Sequence, residues 1–176
     1  MSLFVIGDTH LSLSTDKPMD IFGGWKNYMQ RLEENWRSVV QPQDTVIIPG
    51  DVSWGMSLEQ AKEDFLFLHR LPGKKILMKG NHDYWWTTRA KMESFLEENG
   101  LDSLSILHNN AVSVEGLSLC GSRGWMFEQG QEHDKKIINL EAGRIRASLQ
   151  DAQRFGEQEI GRAHVRTPVT DMHLVC

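Results

Sequence analysis

Three times in its first half the chain runs through an apolar stretch into a glycine and then an acid or its amide: "LFVIGDTH" (Leu3–His10), "TVIIPGDVS" (Thr45–Ser53) and "KILMKGNHD" (Lys75–Asp83). The apolar runs Leu3–Ile6, Thr45–Ile48 and Lys75–Met78 are short and rich in β-branched residues, which predicts buried strands. Each is separated from the next by a stretch with helical periodicity, so the order strand–helix–strand–helix–strand predicts parallel neighbours in an α/β sheet. In open sheets of that kind, sites form beyond the carboxyl ends of the strands. The topology therefore brings Asp8, His10, Asp51, Asn81 and His82 to one rim. A lone Gly-Asp after a strand is ordinarily a turn, but three such ends spaced for intervening helices are not a coincidence. Gly7, Gly50 and Gly80 allow a sharp turn or a close approach where a Cβ would clash.

The connecting segments support this order. After a polar loop (Leu11–Gly24), "WKNYMQRLEENWRSVV" places Trp25, Tyr28, Met29, Leu32, Trp36 and Val39/Val40 on one helical face. In "SLEQAKEDFLFLHRL", Ser57 with Gln60 predicts a capping box, and Leu58, Ala61, Phe65 and Leu68 form the buried stripe. A third helix, Arg89–Gly100, stops at Asn99-Gly100. Then the texture changes. "LSILHNNAVSVEGLSLCGS" predicts short strands around turns at Asn109-Asn110 and Glu115-Gly116, and a last helix fits Lys135–Gln153. Helices between strands, followed by hairpins, predict a mixed sheet or two stacked sheets flanked by helices.

Asp, His and Asn offer hard oxygen and imidazole donors, which suit Mn, Fe, Co, Ni or Zn rather than a thiolate-preferring ion. The formal net charge of -5 argues against a sequence-independent nucleic-acid binder, which needs basic patches. A small anionic substrate stays compatible, because a bound metal reverses the local charge. Cys120 lies in an apolar run and reads as a buried reduced thiol. The N-terminus lacks the basic and apolar regions of a signal peptide, and no stretch approaches the roughly 20 apolar residues of a membrane span. We expect a cytoplasmic protein.

The segment "EIGRAHVRTPVTDMHLVC" (Glu159–Cys176) carries no helical or strand periodicity. It resembles the translation of a sequencing adapter, with one base change needed at Arg166. We expect residues 159–176 to be a non-native tail and residues 1–158 to form the domain, so His164 and His173 are poor ligand candidates.

"GDTH", "GDVSW" and "GNHD" resemble the signature of calcineurin-like metallophosphoesterases, and the resemblance extends to about Gln158. It implies an α/β/β/α sandwich with a dinuclear metal site at the strand ends. By this resemblance Asp8 and His10 hold the first metal, Asp51 bridges both, and Asn81 holds the second. His82 sits over the substrate as proton donor or charge stabiliser for the leaving oxygen. The family pattern also implies an isolated His and a Gly-His-x-His downstream. Between residue 109 and the tail there is only His133, in "GQEHDKK", which matches neither and reads as a helix-start residue. The expectation is a C-terminally truncated domain that lacks its last strands and metal ligands, and with them part of its activity. Protein Ser/Thr phosphatases carry an Arg shortly after the second-motif Asp, and "GDVSWG" has none, so the chain is most similar to small bacterial phosphohydrolases.

The implied function is metal-dependent hydrolysis of a phosphomonoester or phosphodiester, with two divalent ions (Mn, or else Fe, Zn, Co or Ni) and a small phosphorylated substrate. A non-catalytic scaffold that kept the fold is the alternative; it would have lost His82 or the bridging carboxylate, and both are present. A Rossmann-like nucleotide binder is disfavoured because no Gly-x-Gly-x-x-Gly follows the first strand. Four neighbours of the motifs stay open: Asp83 either orients His82 or caps a turn, Trp85 and Trp86 pack the core rather than stack on a base, and Arg123 meets either substrate phosphate or a surface acid.

Overall fold

A computed structural model describes residues 1–124, 132–156 and 158–160 of the chain. They fall into two compact units, residues 1–106 and 107–160.

The first unit carries four parallel strands in sequence order: β1 (Leu3–Val5), β2 (Thr45–Ile48), β3 (Lys74–Leu77) and β4 (Leu104–Ile106). Leu3 pairs with Thr45, Thr45 with Lys74, and Lys75 with Leu104, so the carboxyl ends stay level. All four residues of β2 are buried, as expected for an interior strand covered on both faces. The crossovers are α1 (Tyr28–Val39), α2 (Leu58–Arg70) and α3 (Arg89–Glu98). They bury Leu32, Trp36, Ala61, Phe65, Leu68, Met92 and Leu96 with Ile48 and Leu77 in one core. This is a parallel sheet flanked by helices, the α/β architecture the motif spacing predicts.

The helix ends follow local chemistry. Ser57 accepts from the Gln60 amide at 3.3 Å, while the Gln60 side chain takes the Met56 amide at 2.9 Å, one residue earlier than a strict capping box would place it. α3 closes with Gly100 at φ +65°, the Leu101 amide reaching the Leu96 carbonyl at 2.9 Å. α1 begins three residues later than its periodicity suggests. Asn27 adopts a left-handed backbone (φ +54°), so Trp25 stays outside the helix and packs with Met19 and Tyr28. Lys75 is an unexpected core residue. Its ammonium is fully buried and donates to the Leu71 and Gly73 carbonyls at 2.6 and 2.8 Å, which ties down the loop between α2 and β3.

The second unit holds β5 (Ala111–Val114), β6 (Leu117–Cys120), α4 (Glu132–Ala152) and β7 (Gln158–Ile160), in the sheet order β5-β6-β7. β5 and β6 form the hairpin expected at Glu115-Gly116, with φ of +56° and +77° as a two-residue primed turn requires. Asn109-Asn110 makes no hairpin, because β4 and β5 belong to different sheets. From α4, Asp151 accepts from the Ala111 amide and Ser148 from the Gly121 amide, at 2.8 and 2.7 Å. His133 lies in the first turn of α4, and Cys120 is buried. Glu159 and Ile160, inside the stretch read as lacking strand character, pair in parallel with Ser118 and Leu119. His164, His173 and Cys176 lie outside the described residues. No described helix is long and apolar enough to cross a membrane.

Candidate metal centre

Beyond their carboxyl ends, β1, β2 and β3 remain tied together. The Asp8 amide donates to the Gly50 carbonyl at 3.2 Å, and the His10 and Leu11 amides to the Asp51 and Val52 carbonyls at 2.9 Å. The Thr9 hydroxyl also donates to the Val52 carbonyl, at 3.0 Å. Among the described residues six non-glycines hold positive φ, and three of them are Asp8 (+54°), His10 (+43°) and Asp51 (+51°). A left-handed backbone costs an L-residue free energy, and such strain concentrates at functional sites. Gly50, at φ +140°, lies so close to the next loop that a Cβ would stand 2.5 Å from the Gly80 Cα and amide nitrogen. A Cβ at Gly80 would in turn overlap the Asp51 amide and carboxylate. Glycine is required at both positions by close approach. Gly80→Ala is accordingly expected to lower stability by about 1–3 kcal/mol and to weaken metal binding in parallel. Paired thermal melts and metal titrations check this; a variant that is less stable but binds metal unchanged would separate the loop packing from the site.

Three donors from two strand ends converge. His10 Nε2 lies 3.8 Å from Asp8 Oδ1 and 3.9 Å from Asp51 Oδ2, beyond hydrogen-bond reach. The His10 side chain is almost wholly buried, and neither ring nitrogen has a hydrogen-bond partner. A buried polar atom left so costs about 1–3 kcal/mol. The arrangement fits a divalent cation: donors held about 2.0–2.2 Å from one ion stand roughly 3–4 Å apart, and Asp8, His10 and Asp51 offer atoms all within 4.8 Å of one another. Burial pushes the His10 imidazole down to about 4; Asp51 pulls it up and His82 pushes it down further. The ring is thus neutral at pH 7, the form that binds metal.

The same shift sets a pH dependence for the metal-free protein. The folded pKa lies below the unfolded value of about 6.5, so the stabilising difference is complete above pH 6.5. It is lost as pH falls toward 4, by at most about 1.4 kcal/mol per pH unit. Asp83, which burial shifts upward, contributes with the opposite sign. The readout is therefore the difference between wild type and His10→Gln in urea melts at pH 7 and pH 5. The difference should shift against wild type at the lower pH; an unchanged difference would contradict the buried neutral imidazole.

The third strand end completes the rim. Asn81 is exposed, between Gly80, packed against Asp51, and His82, whose amide donates to Asp51 Oδ1 at 2.8 Å. The His82 ring is half-buried, 5.8 Å from that of His10, and its Nδ1 has no hydrogen-bond partner. Asp83 therefore does not orient His82. Its carboxylate is a clamp: Oδ2 accepts from the Asp51 and Gly80 amides at 2.9 and 2.7 Å, and Oδ1 from the Val52 amide and Trp85 Nε1 at 2.8 and 2.9 Å. Burial pushes the Asp83 carboxyl up to about 6, against the pull of the Gly80 and Val52 amides, so it is ionised at neutral pH. The acid of "GNHD" thus fixes the loop that carries Asp51.

Trp85 is buried, edge-on to Phe65, and Trp86 packs partly buried on the same core, as expected of both. Arg123 follows β6 in the second unit. Trp54 is a site residue that the motif reading left unassigned. Its ring stacks on His10 at 4.9 Å and 19°, and stands 4.9 Å from His82. Its sequence signal was slight: one aromatic three residues after the second-motif Asp.

Comparison with known proteins gives the chain a family. The model of the calcineurin-like phosphoesterase family matches residues 1–158. No curated protein matches the chain. Two solved structures are similar. The Aquifex aeolicus protein AQ665, of unknown function, has 19% identity and a TM-score of 0.48, over 81% of this chain and 71% of that one. The phosphopantetheinyl hydrolase PptH of Mycobacterium tuberculosis has 17% identity and a TM-score of 0.41, and this chain covers 50% of its length. The family match spans all three strand-end motifs, and on that ground the chain belongs to the calcineurin-like phosphoesterases.

Proposed function

We propose that the chain hydrolyses a small phosphomonoester or phosphodiester with the help of two divalent ions, Mn being the first candidate and Fe, Zn, Co or Ni the others. The observation that carries this reading is the buried, unpartnered imidazole of His10 facing two carboxylates at the sheet rim. Asp8 and His10 would hold one ion, Asp51 would serve both, and Asn81 would serve the second as a neutral oxygen donor. Bound there, the ions supply Lewis acidity that acidifies water and offsets charge on the phosphoryl oxygens.

The chain's own residues have separate tasks. Asp51 is held from three directions: its amide by Asp83, its carboxylate by the His82 amide, and its backbone by the packing of Gly80. That fixation keeps its carboxylate facing His10, where it would hold the ions without having to reorient. His10, stacked on Trp54, cannot rotate away from the carboxylates. His82 is half-buried beside this cluster, and an imidazole can both take up and release a proton, which suits it to hold the proton that passes to the leaving oxygen.

The test is hydrolysis of an aryl phosphoester by the purified chain, before and after chelation. Activity should vanish with the metal and return with added Mn. Turnover that survives complete chelation would refute a metal-dependent site.

A further inference from the structure

Resting on the phosphoester reading, we propose that Tyr84, with Trp54 as a fixed wall, selects substrates whose leaving alcohol carries a flat apolar ring. The proton donor of that reading, His82, has two aromatic side chains near its ring. Trp54 lies 4.9 Å from its ring, and Tyr84 6.2 Å away in an edge-on arrangement. The two differ in what they leave open. Trp54 stacks on His10, Lys17 holds its ammonium 4.3 Å over the Trp54 ring, and Trp54 Nε1 points to the Met19 sulfur. Trp54 is thus occupied by its own protein and serves as a rigid boundary. Tyr84 is 52% exposed, and the backbone beneath it is fixed by its amide donating to the His82 carbonyl at 2.9 Å. An exposed ring on a fixed backbone, beside the group that faces the leaving oxygen, is a surface that the leaving group must pass.

Leu13, Ile21, Phe22 and Met56 are large apolar residues left exposed, and all stand in the loops that leave the carboxyl ends of β1 and β2. Polar residues, Ser14, Asp16 and Lys17 among them, stand exposed in the same β1 loop, so the apolar preference rests on Tyr84 beside His82. Aromatic rings reward a flat partner through offset stacking or edge contact beyond simple burial, and do so irrespective of its hydrogen-bonding groups.

The experiment compares benzyl phosphate with ethyl phosphate, whose leaving alcohols have similar acidity, so that a difference reports recognition rather than leaving-group chemistry. With the whole chain and saturating Mn, kcat/KM should favour the benzyl ester by about tenfold, the usual worth of one good aromatic contact. In Tyr84→Ala the preference should fall below about twofold, and in Tyr84→Phe, which keeps the ring, it should persist. Because Tyr84 is exposed, matched melting temperatures will show that the variants remain folded. Equal turnover of the two esters by wild type, or a preference that survives Tyr84→Ala, overturns the inference and leaves the phosphoesterase reading standing. Hydrolysis of neither ester also overturns the inference, and the aryl phosphoester assay before and after chelation then decides the phosphoesterase reading separately.

Discussion

Asp51→Asn is expected to be the most damaging single substitution in the chain. Its loss of turnover should exceed the about 10- to 100-fold that is typical of residues which only support a metal ligand. The reason lies in what converges on this side chain. One carboxylate oxygen faces His10 at 3.9 Å, and the other accepts the His82 amide at 2.8 Å. The amide change keeps the volume and one acceptor oxygen, so the loops should stay in place while the negative charge is lost. Asp8 carries less: its side chain is more exposed than that of Asp51, 19% against 8%. Asp8→Asn should therefore cost less activity under saturating Mn. Steady-state kinetics on both variants check this, and equal mild losses would mean that Asp51 is not shared between two ions.

His82→Ala should behave differently. The contact from residue 82 to Asp51 is made by its backbone amide, which alanine retains, so metal content should be close to that of wild type. Turnover should fall by about 10²–10⁴-fold, the usual range for a general acid–base group. The loss should shrink for esters with acidic leaving groups, which depart without a proton. A variant that loses its metal would place His82 among the ligands instead.

Much of the sheet and of its rim was legible in the sequence for one physical reason. A buried parallel strand must be apolar along its length and must then release its polar residues abruptly at its end. Leu3–Ile6, Thr45–Ile48 and Lys75–Met78 therefore mark both the sheet and the rim, and Ser57 and Gly100 mark helix ends because caps are local chemistry. What stayed hidden depends on contacts between segments distant in sequence. Asp83 clamps residues 51 and 52 across two loops, a role that its position beside His82 does not reveal. Lys75, at the edge of an apolar run, gives no sign that its ammonium is buried on the Leu71 and Gly73 carbonyls. Trp54, Trp85 and Tyr84 are all aromatics near motifs, yet one lines the site, one fills the core and one stands open. Composition cannot separate those fates. The turn at Asn109-Asn110 misled for a related reason: turn residues report that the chain bends, not which strands then pair.

The most direct test of the strand-end cluster is Mn binding by the wild-type chain beside an Asp8→Asn/His10→Gln double variant, followed by the paramagnetic signal of free ion at equilibrium. The wild type should deplete the free-Mn signal, and the folded double variant should leave most of it in solution. Equal depletion by the two proteins would show that the metal binds elsewhere, and would contradict a centre built on Asp8, His10 and Asp51.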